Sequence, residues 1–187
     1  MNLSTLNHYT SRINLALAKL TQTDIEAGLS VLGEAMNSGK HIWIAGNGGS
    51  AATASHFATD LSRCTNSNGA PVKGISLCDN SGLITAIGND FGFDFIFSRQ
   101  LSKIAISGDL LVVLTASGNS RNLLVAMEWA RDNGVKVLAL TGFSGGKVKD
   151  LADISIHVPT ETGDYGVAED AHSILCHFLS SQFRTNS

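Results

Sequence analysis

Apolar side chains follow two different rhythms along this chain, and the change between them divides it. Over residues 1–39, Leu6, Ile13, Leu17 and Leu20, then Ile25, Leu29, Leu32 and Met36, recur at the spacing of one helix face. Thr23 or Asp24 is placed to cap the second of these helices and Gly39 to stop it. From residue 41 the rhythm becomes short apolar runs separated by amphipathic stretches. Residues 41–45 (HIWIA), 72–77, 109–115 (DLLVVLT), 136–140 and 154–158 read as strands. Residues 51–63, 81–87, 91–104, 121–133 and 167–183 read as helices. Strands alternating with helices imply parallel βαβ units. The best strands are apolar on both faces, as they must be when helices cover a parallel sheet on both sides. The expectation is an α/β fold, a three-layer α/β/α sandwich on a five-stranded parallel sheet. It forms one domain over residues 1–187, of which 1–39 are an N-terminal helical segment.

Three loops of one chemistry follow strands: GNGGS at 46–50, TASGNS at 115–120 and TGFSGG at 141–146. In an open parallel sheet, ligands bind beyond the carboxyl ends of the strands. Glycine lets backbone approach a ligand closely, the amides that open the following helix point at an anion, and hydroxyls add donors without charge. One such loop is as well explained as a turn with a helix cap. Several at one sheet edge argue for a phosphate cradle that needs no arginine. None has the GxxxxGK[ST] order of a P-loop, and none has GxGxxG with an acidic residue about 20 positions on. Nucleotide hydrolysis and dinucleotide binding are therefore not expected.

Composition narrows the reading further. Of 187 residues, 43% are apolar and 16% charged, with a formal charge of -3. That is an ordinary globular balance without the basic field that draws in nucleic acid. No apolar run reaches the roughly 18 residues of a membrane span, and the polar N-terminal stretch does not read as a signal peptide. Cys64, Cys78 and Cys176 are odd in number and far apart, which suits a reducing compartment. A cytoplasmic protein with no membrane or nucleic-acid partner is expected.

The segments GNGGSAATASHFATDL, IGNDFGFDFIFSRQ, ASGNSRNLLVAMEWAR and LALTGFSGG resemble the successive signatures of the sugar isomerase (SIS) domain. Within that group the chain is most similar to the sedoheptulose 7-phosphate isomerases, or phosphoheptose isomerases, over about residues 40 to 180. The resemblance implies a five-stranded parallel sheet and a homotetramer with active sites between subunits. It also implies that Asn47, Gly48, Gly49, Ser50, Asn89, Asp90, Thr115, Ser117 and Ser120 contact a sugar phosphate. The second loop departs from the family's usual STSGNS, with Ala116 in place of a threonine, which removes one hydroxyl.

Aldose–ketose isomerisation moves a proton between adjacent carbons through an enediol. It needs a base, an acid and a stabiliser for the oxyanion, a task a divalent metal can perform. His56 and Asp60, four apart on the helix after the first loop, share one face and can supply half a metal site. A helix-stabilising surface pair is the commoner explanation of that spacing. On the last helix Glu169 and His177 are eight apart, about 80° around the axis and about 12 Å along it, a wide span for ligands of one ion. His172, between them, is either an alternate ligand or acid–base group, or a structural histidine. His8, His41 and His157 read as structural. By the resemblance, His56, Asp60, Glu169 and His177 hold Zn²⁺, with another divalent metal as the alternative, and Asp60 and His177 inherit the proton-transfer roles. Asp60 stands where the family has glutamate, and Glu169 where it has glutamine, so Glu169 is also a candidate base. The expected reaction converts sedoheptulose 7-phosphate to D-glycero-D-manno-heptose 7-phosphate. The alternative is a non-catalytic phosphosugar-binding or replication-initiator-binding SIS adaptor. A sensory SIS domain would need a DNA-binding segment, for which there is no room.

Overall fold

The computed structural model describes residues 3–184. Two helices, α1 (Leu3–Leu17) and α2 (Gln22–Asn37), precede β1 (His41–Gly46) and α3 (Gly49–Ser62). There follow β2 (Lys73–Ser76), α4 (Ser81–Phe91), a 3-10 turn (Phe93–Phe95) and α5 (Ser98–Ile104). β3 (Leu110–Thr115), α6 (Arg121–Asp132), β4 (Lys136–Thr141), α7 (Gly146–Leu151), β5 (Ile154–His157) and α8 (Tyr165–Ser181) complete the order. The five strands form one sheet in the order β2-β1-β3-β4-β5, and every pairing is parallel. The expected α/β architecture is the one observed.

Period-two alternation explains the layers. In β1, β3 and β4 the residues Ile42, Ile44, Leu110, Val112, Leu114, Leu138 and Leu140 face one core, with Leu32 of α2, Phe57 and Leu61 of α3 and Leu179 of α8. The intervening Trp43, Leu111, Val113 and Val137 face a second core, with Leu101 of α5 and Leu123 and Met127 of α6. All six residues of β3 are buried. The central strands are tied at their start by Asp109, whose carboxylate accepts the Trp43 indole N–H at 2.9 Å and the His41 and Ile106 amides at 3.0 Å. Burial alone would raise this carboxyl, but those hydrogen bonds outweigh it and hold it below its ordinary value.

Local chemistry accounts for the departures from the sequence reading. Thr21, not Thr23 or Asp24, caps α2, its hydroxyl accepting the Asp24 amide at 3.1 Å. Residues 91–104 are not one helix. Gly92, at φ +98°, ends α4 and a 3-10 turn precedes α5. The strand expected over 72–77 shortens to Lys73–Ser76, an edge strand paired on one side only. The six-residue α7 is too short to show a period.

This strand order places a topological switch point between β1 and β3. The chain leaves β1 towards β2 on one side, and the rest of the sheet builds on the other. Such a point leaves a crevice at the carboxyl ends of the two strands, and the first two glycine loops open there.

Candidate active site

A cavity of about 230 Å³ fills this crevice, lined by Asn47, Gly48 and Ser50, then Thr115, Ala116, Ser117 and Ser120, and closed by Tyr165 and Glu169 of α8. Gly48 turns the chain into α3 at φ +55°, and Ser120 precedes α6. Neither helix start carries a side-chain cap. Two sets of opening amides, with the positive ends of two helix dipoles, therefore face one space. The arrangement suits an anion such as a phosphate.

The loops are held by contacts the sequence did not disclose. Asn47 and Asn122 exchange two side-chain amide hydrogen bonds, each 2.9 Å, and Asn122 Oδ1 also accepts the Leu123 amide at 2.9 Å. Asn122 is 1% exposed and ties the first loop to the helix after the second. Thr115 accepts the Gly118 amide at 3.1 Å, which leaves its own O–H free to donate. Gly118 has φ +67°, and a Cβ there would overlap the Gly145 carbonyl. The third glycine loop thus packs against the second and braces it without lining the cavity. Asn89 and Asp90, expected at the sugar phosphate, are exposed at the end of α4 and are not among the residues lining this cavity.

Glu169 lies across Gly49, where a Cβ would overlap its carboxylate. Burial, then the neighbouring Asp170, raises its pKa. Further along the same two helices a second constellation forms. His56 of α3 and His177 of α8 bring their Nε2 atoms within 3.2 Å. Asp60 Oδ2 stands 3.8 Å from the first and 3.7 Å from the second. Both imidazoles are exposed, whereas Asp60 is 5% exposed. Its Oδ2 is buried without a hydrogen-bond partner, and its Oδ1 accepts Arg184 Nη2 at 2.6 Å.

This triad fits a divalent cation. In a tetrahedral zinc site with bonds of about 2.0–2.1 Å, ligand atoms stand about 3.3 Å apart. The two nitrogens match that edge, and the aspartate oxygen is slightly farther out. An orphaned buried carboxylate oxygen beside two imidazoles is also the donor set such an ion takes. Among the described residues these three are the only group of three or more His, Cys, Asp or Glu side chains gathered at ligand distance. Glu169, expected with them, stands outside the triad, two helical turns before His177. His172 is interior: it is 1% exposed, and burial, opposed in part by a hydrogen bond to the Thr141 backbone, pushes its pKa down to about 4. A neutral core imidazole is its role here. His157, half-buried, has its Nδ1 3.0 Å from the Thr141 hydroxyl.

Comparison with known proteins identifies the family. The SIS domain family matches residues 7–142. A phosphoheptose isomerase from Campylobacter concisus is 40% identical over 155 residues, 83% of this chain and 81% of that protein. One from Rhodospirillum rubrum is 45% identical over 136 residues, 73% and 72% of the two chains. The solved phosphoheptose isomerase of Francisella tularensis superimposes with a TM-score of 0.87 at 30% identity, covering 98% of this chain and 99% of that one. A family match over most of the chain, relatives 40% and 45% identical, and a solved structure that superimposes over nearly the full length leave one assignment: the chain belongs to the SIS domain family and, within it, to the phosphoheptose isomerases.

Proposed function

We infer that the protein is an aldose–ketose isomerase of the phosphoheptose type, interconverting sedoheptulose 7-phosphate and D-glycero-D-manno-heptose 7-phosphate. The observation that carries this reading is the pairing of two sites along α3 and α8. The loop cavity lies at the Gly49–Glu169 end, and the His56–Asp60–His177 triad lies two turns further on. Two turns are about 10–12 Å of helix. Histidine side chains lean back towards the helix start and shorten that gap. An extended open-chain heptose phosphate covers roughly 10 Å from phosphorus to C1, at about 1.2 Å per bond. With its phosphate on the loops, its carbonyl end reaches the triad.

In this reading the amides opening α3 and α6, with the hydroxyls of Ser50, Thr115, Ser117 and Ser120, hold the phosphate. Asn47, Gly48 and Gly49 shape the floor. Zn²⁺ bound by His56, Asp60 and His177 would supply polarisation of the carbonyl and adjacent hydroxyl oxygens. Asp60 has its Oδ1 on Arg184 and its Oδ2 aimed at the imidazoles, so it serves as a ligand. Glu169 borders the sugar's path and is raised by burial towards the range useful to a base. It takes the proton from the carbon beside the carbonyl and returns it to the neighbouring carbon of the enediol. The matching proton moves between the two adjacent enediol oxygens, and His177, whose Nε2 would be committed to the ion, serves as a ligand and not as the proton carrier. We further propose a cytoplasmic homotetramer built from the whole chain as one SIS domain, in which Asn89 and Asp90 serve a neighbour's site. Ile174 and Phe178 beside His177 on α8, and Leu3, Leu6 and Leu15 on α1, are exposed apolar residues of the kind a subunit contact covers. No helix of the described residues is long and apolar enough to cross a membrane.

Glu169→Gln and Asp60→Asn divide the roles. Glu169→Gln should keep Zn²⁺ affinity and abolish turnover, and Asp60→Asn should weaken Zn²⁺ binding. Turnover that survives in Glu169→Gln, with loss in an Asp60→Asn protein still holding metal, would return the base role to Asp60.

A further inference from the structure

Beyond Ser181 the chain makes one more turn, the Phe183 and Arg184 amides donating to the Ser180 and Ser181 carbonyls at 3.1 and 3.4 Å. Phe183 is half-buried against the core beneath α2, and its ring lies 3.5 Å from where a Cβ on Gly33 would stand. This anchor turns the next side chain back towards α3, where Arg184 Nη2 donates to Asp60 Oδ1. The two carboxylate oxygens of Asp60 are thereby made different. Oδ1 carries a short charge-assisted bond, and Oδ2 is buried, without a hydrogen bond, and turned to both imidazoles.

We propose that Arg184 is a positioning residue for the metal centre: it grips Asp60 Oδ1 so that Oδ2 alone faces a cation held between His56 and His177. The proposal rests on the metal-site reading above. A free aspartate so close to two imidazoles can turn either oxygen, or both, towards the ion. A guanidinium on one oxygen fixes the carboxylate plane and leaves a single direction for the other. Groups that hydrogen-bond a metal-ligating carboxylate typically contribute 10–100-fold in metal affinity. The opposing expectation is plain. A partly exposed ion pair contributes little, and a fixed positive charge near a cation site repels its occupant. The burial of Asp60, the 2.6 Å contact and the Phe183 anchor favour positioning.

The test uses the full chain stripped with a chelator. Zn²⁺ affinity is measured in competition with a chromophoric chelator, and the visible absorption of the Co²⁺ form is recorded, for wild type, Arg184→Gln and Arg184→Lys. Arg184→Gln should weaken Zn²⁺ binding about 10–100-fold and change the Co²⁺ spectrum as Asp60 gains a second mode of binding. Arg184→Lys keeps a charge but not the planar fork, and should recover part of both. The metal-free melting temperature reports folding alone: Arg184→Gln should lower it modestly, since the buried Asp60 loses its charged partner, while the variant stays folded at the temperature of the titration. Arg184→Gln with wild-type affinity and spectrum, or with tighter binding, overturns the role of Arg184 while leaving the metal site standing. A wild type that takes up neither Zn²⁺ nor Co²⁺ overturns the metal reading and this role with it.

Discussion

Replacing Asn122 by alanine removes the pin that joins the two phosphate loops. Three hydrogen bonds disappear: the reciprocal pair with Asn47 and the contact to the Leu123 amide. Each is worth about 1 kcal/mol net. The Asn47 amide is half-exposed and can turn to water, so its part is recovered in some measure, whereas Leu123 is buried and its amide is left without this acceptor. The expected loss is about 2–3 kcal/mol, within the 5–15 kcal/mol that holds a domain of this kind together, so the variant folds. The functional effect is larger in KM than in kcat, because the first loop must be ordered by the substrate and not by the fold. One tenfold step in affinity corresponds to about 1.4 kcal/mol, and a tenfold rise in KM is the predicted outcome. Asn122→Asp keeps both acceptor contacts but loses the donor to Asn47 and sets a buried negative charge beside the anion cradle, so its KM should rise beyond that of Asn122→Ala. Denaturant unfolding and steady-state kinetics on the three proteins decide the matter. Asn122→Ala with wild-type stability and wild-type KM would refute the idea that the amide pair shapes the cradle.

Other outcomes follow from the same structure. His172 is neutral in the fold, with a pKa near 4 against an ordinary 6.5. Its contribution is intact above pH 6.5 and is lost as pH falls towards 4, because the unfolded chain takes up the proton first. At about 1.4 kcal/mol per pKa unit, wild type should lose about 2 kcal/mol more than His172→Leu between pH 7 and 5. Equal losses by chemical unfolding would contradict this. Gly118→Ala imposes about 1–2 kcal/mol of left-handed strain and pushes the second loop off the Gly145 carbonyl. It should therefore raise KM at least tenfold, measured by steady-state kinetics. Gly69→Ala shares a positive φ of 77° but meets nothing nearby, so it should cost stability alone, and a matching KM rise there would sink the packing argument.

The fold was legible because periodicity reports burial directly. DLLVVLT can only be a strand covered on both faces, and it became β3, buried at all six positions. The first two loops were legible because glycine and hydroxyl residues after a strand have few other uses. What stayed hidden depends on contacts between distant segments. Asn122 looks like any polar residue opening a helix, and only the fold brings it to Asn47, 75 residues away. Arg184 lies 124 residues from Asp60, and no spacing rule joins them. The triad was half visible as the His56 and Asp60 pair. That His177 completes it and Glu169 stays with the loops follows from α3 and α8 packing side by side, with Gly49 against Glu169 and His56 against His177. The third loop misled by composition. Its glycines serve a close approach to the second loop.

The account stands most directly on turnover. Zn²⁺-loaded protein incubated with sedoheptulose 7-phosphate in D₂O, followed by NMR, should yield the aldose heptose 7-phosphate, carrying deuterium in those turnovers where the Glu169 carboxyl exchanges with solvent before it returns the proton, and Glu169→Gln should yield none. A protein that melts at higher temperature with the sugar phosphate present but forms no aldose would keep the phosphate cradle and contradict the isomerase.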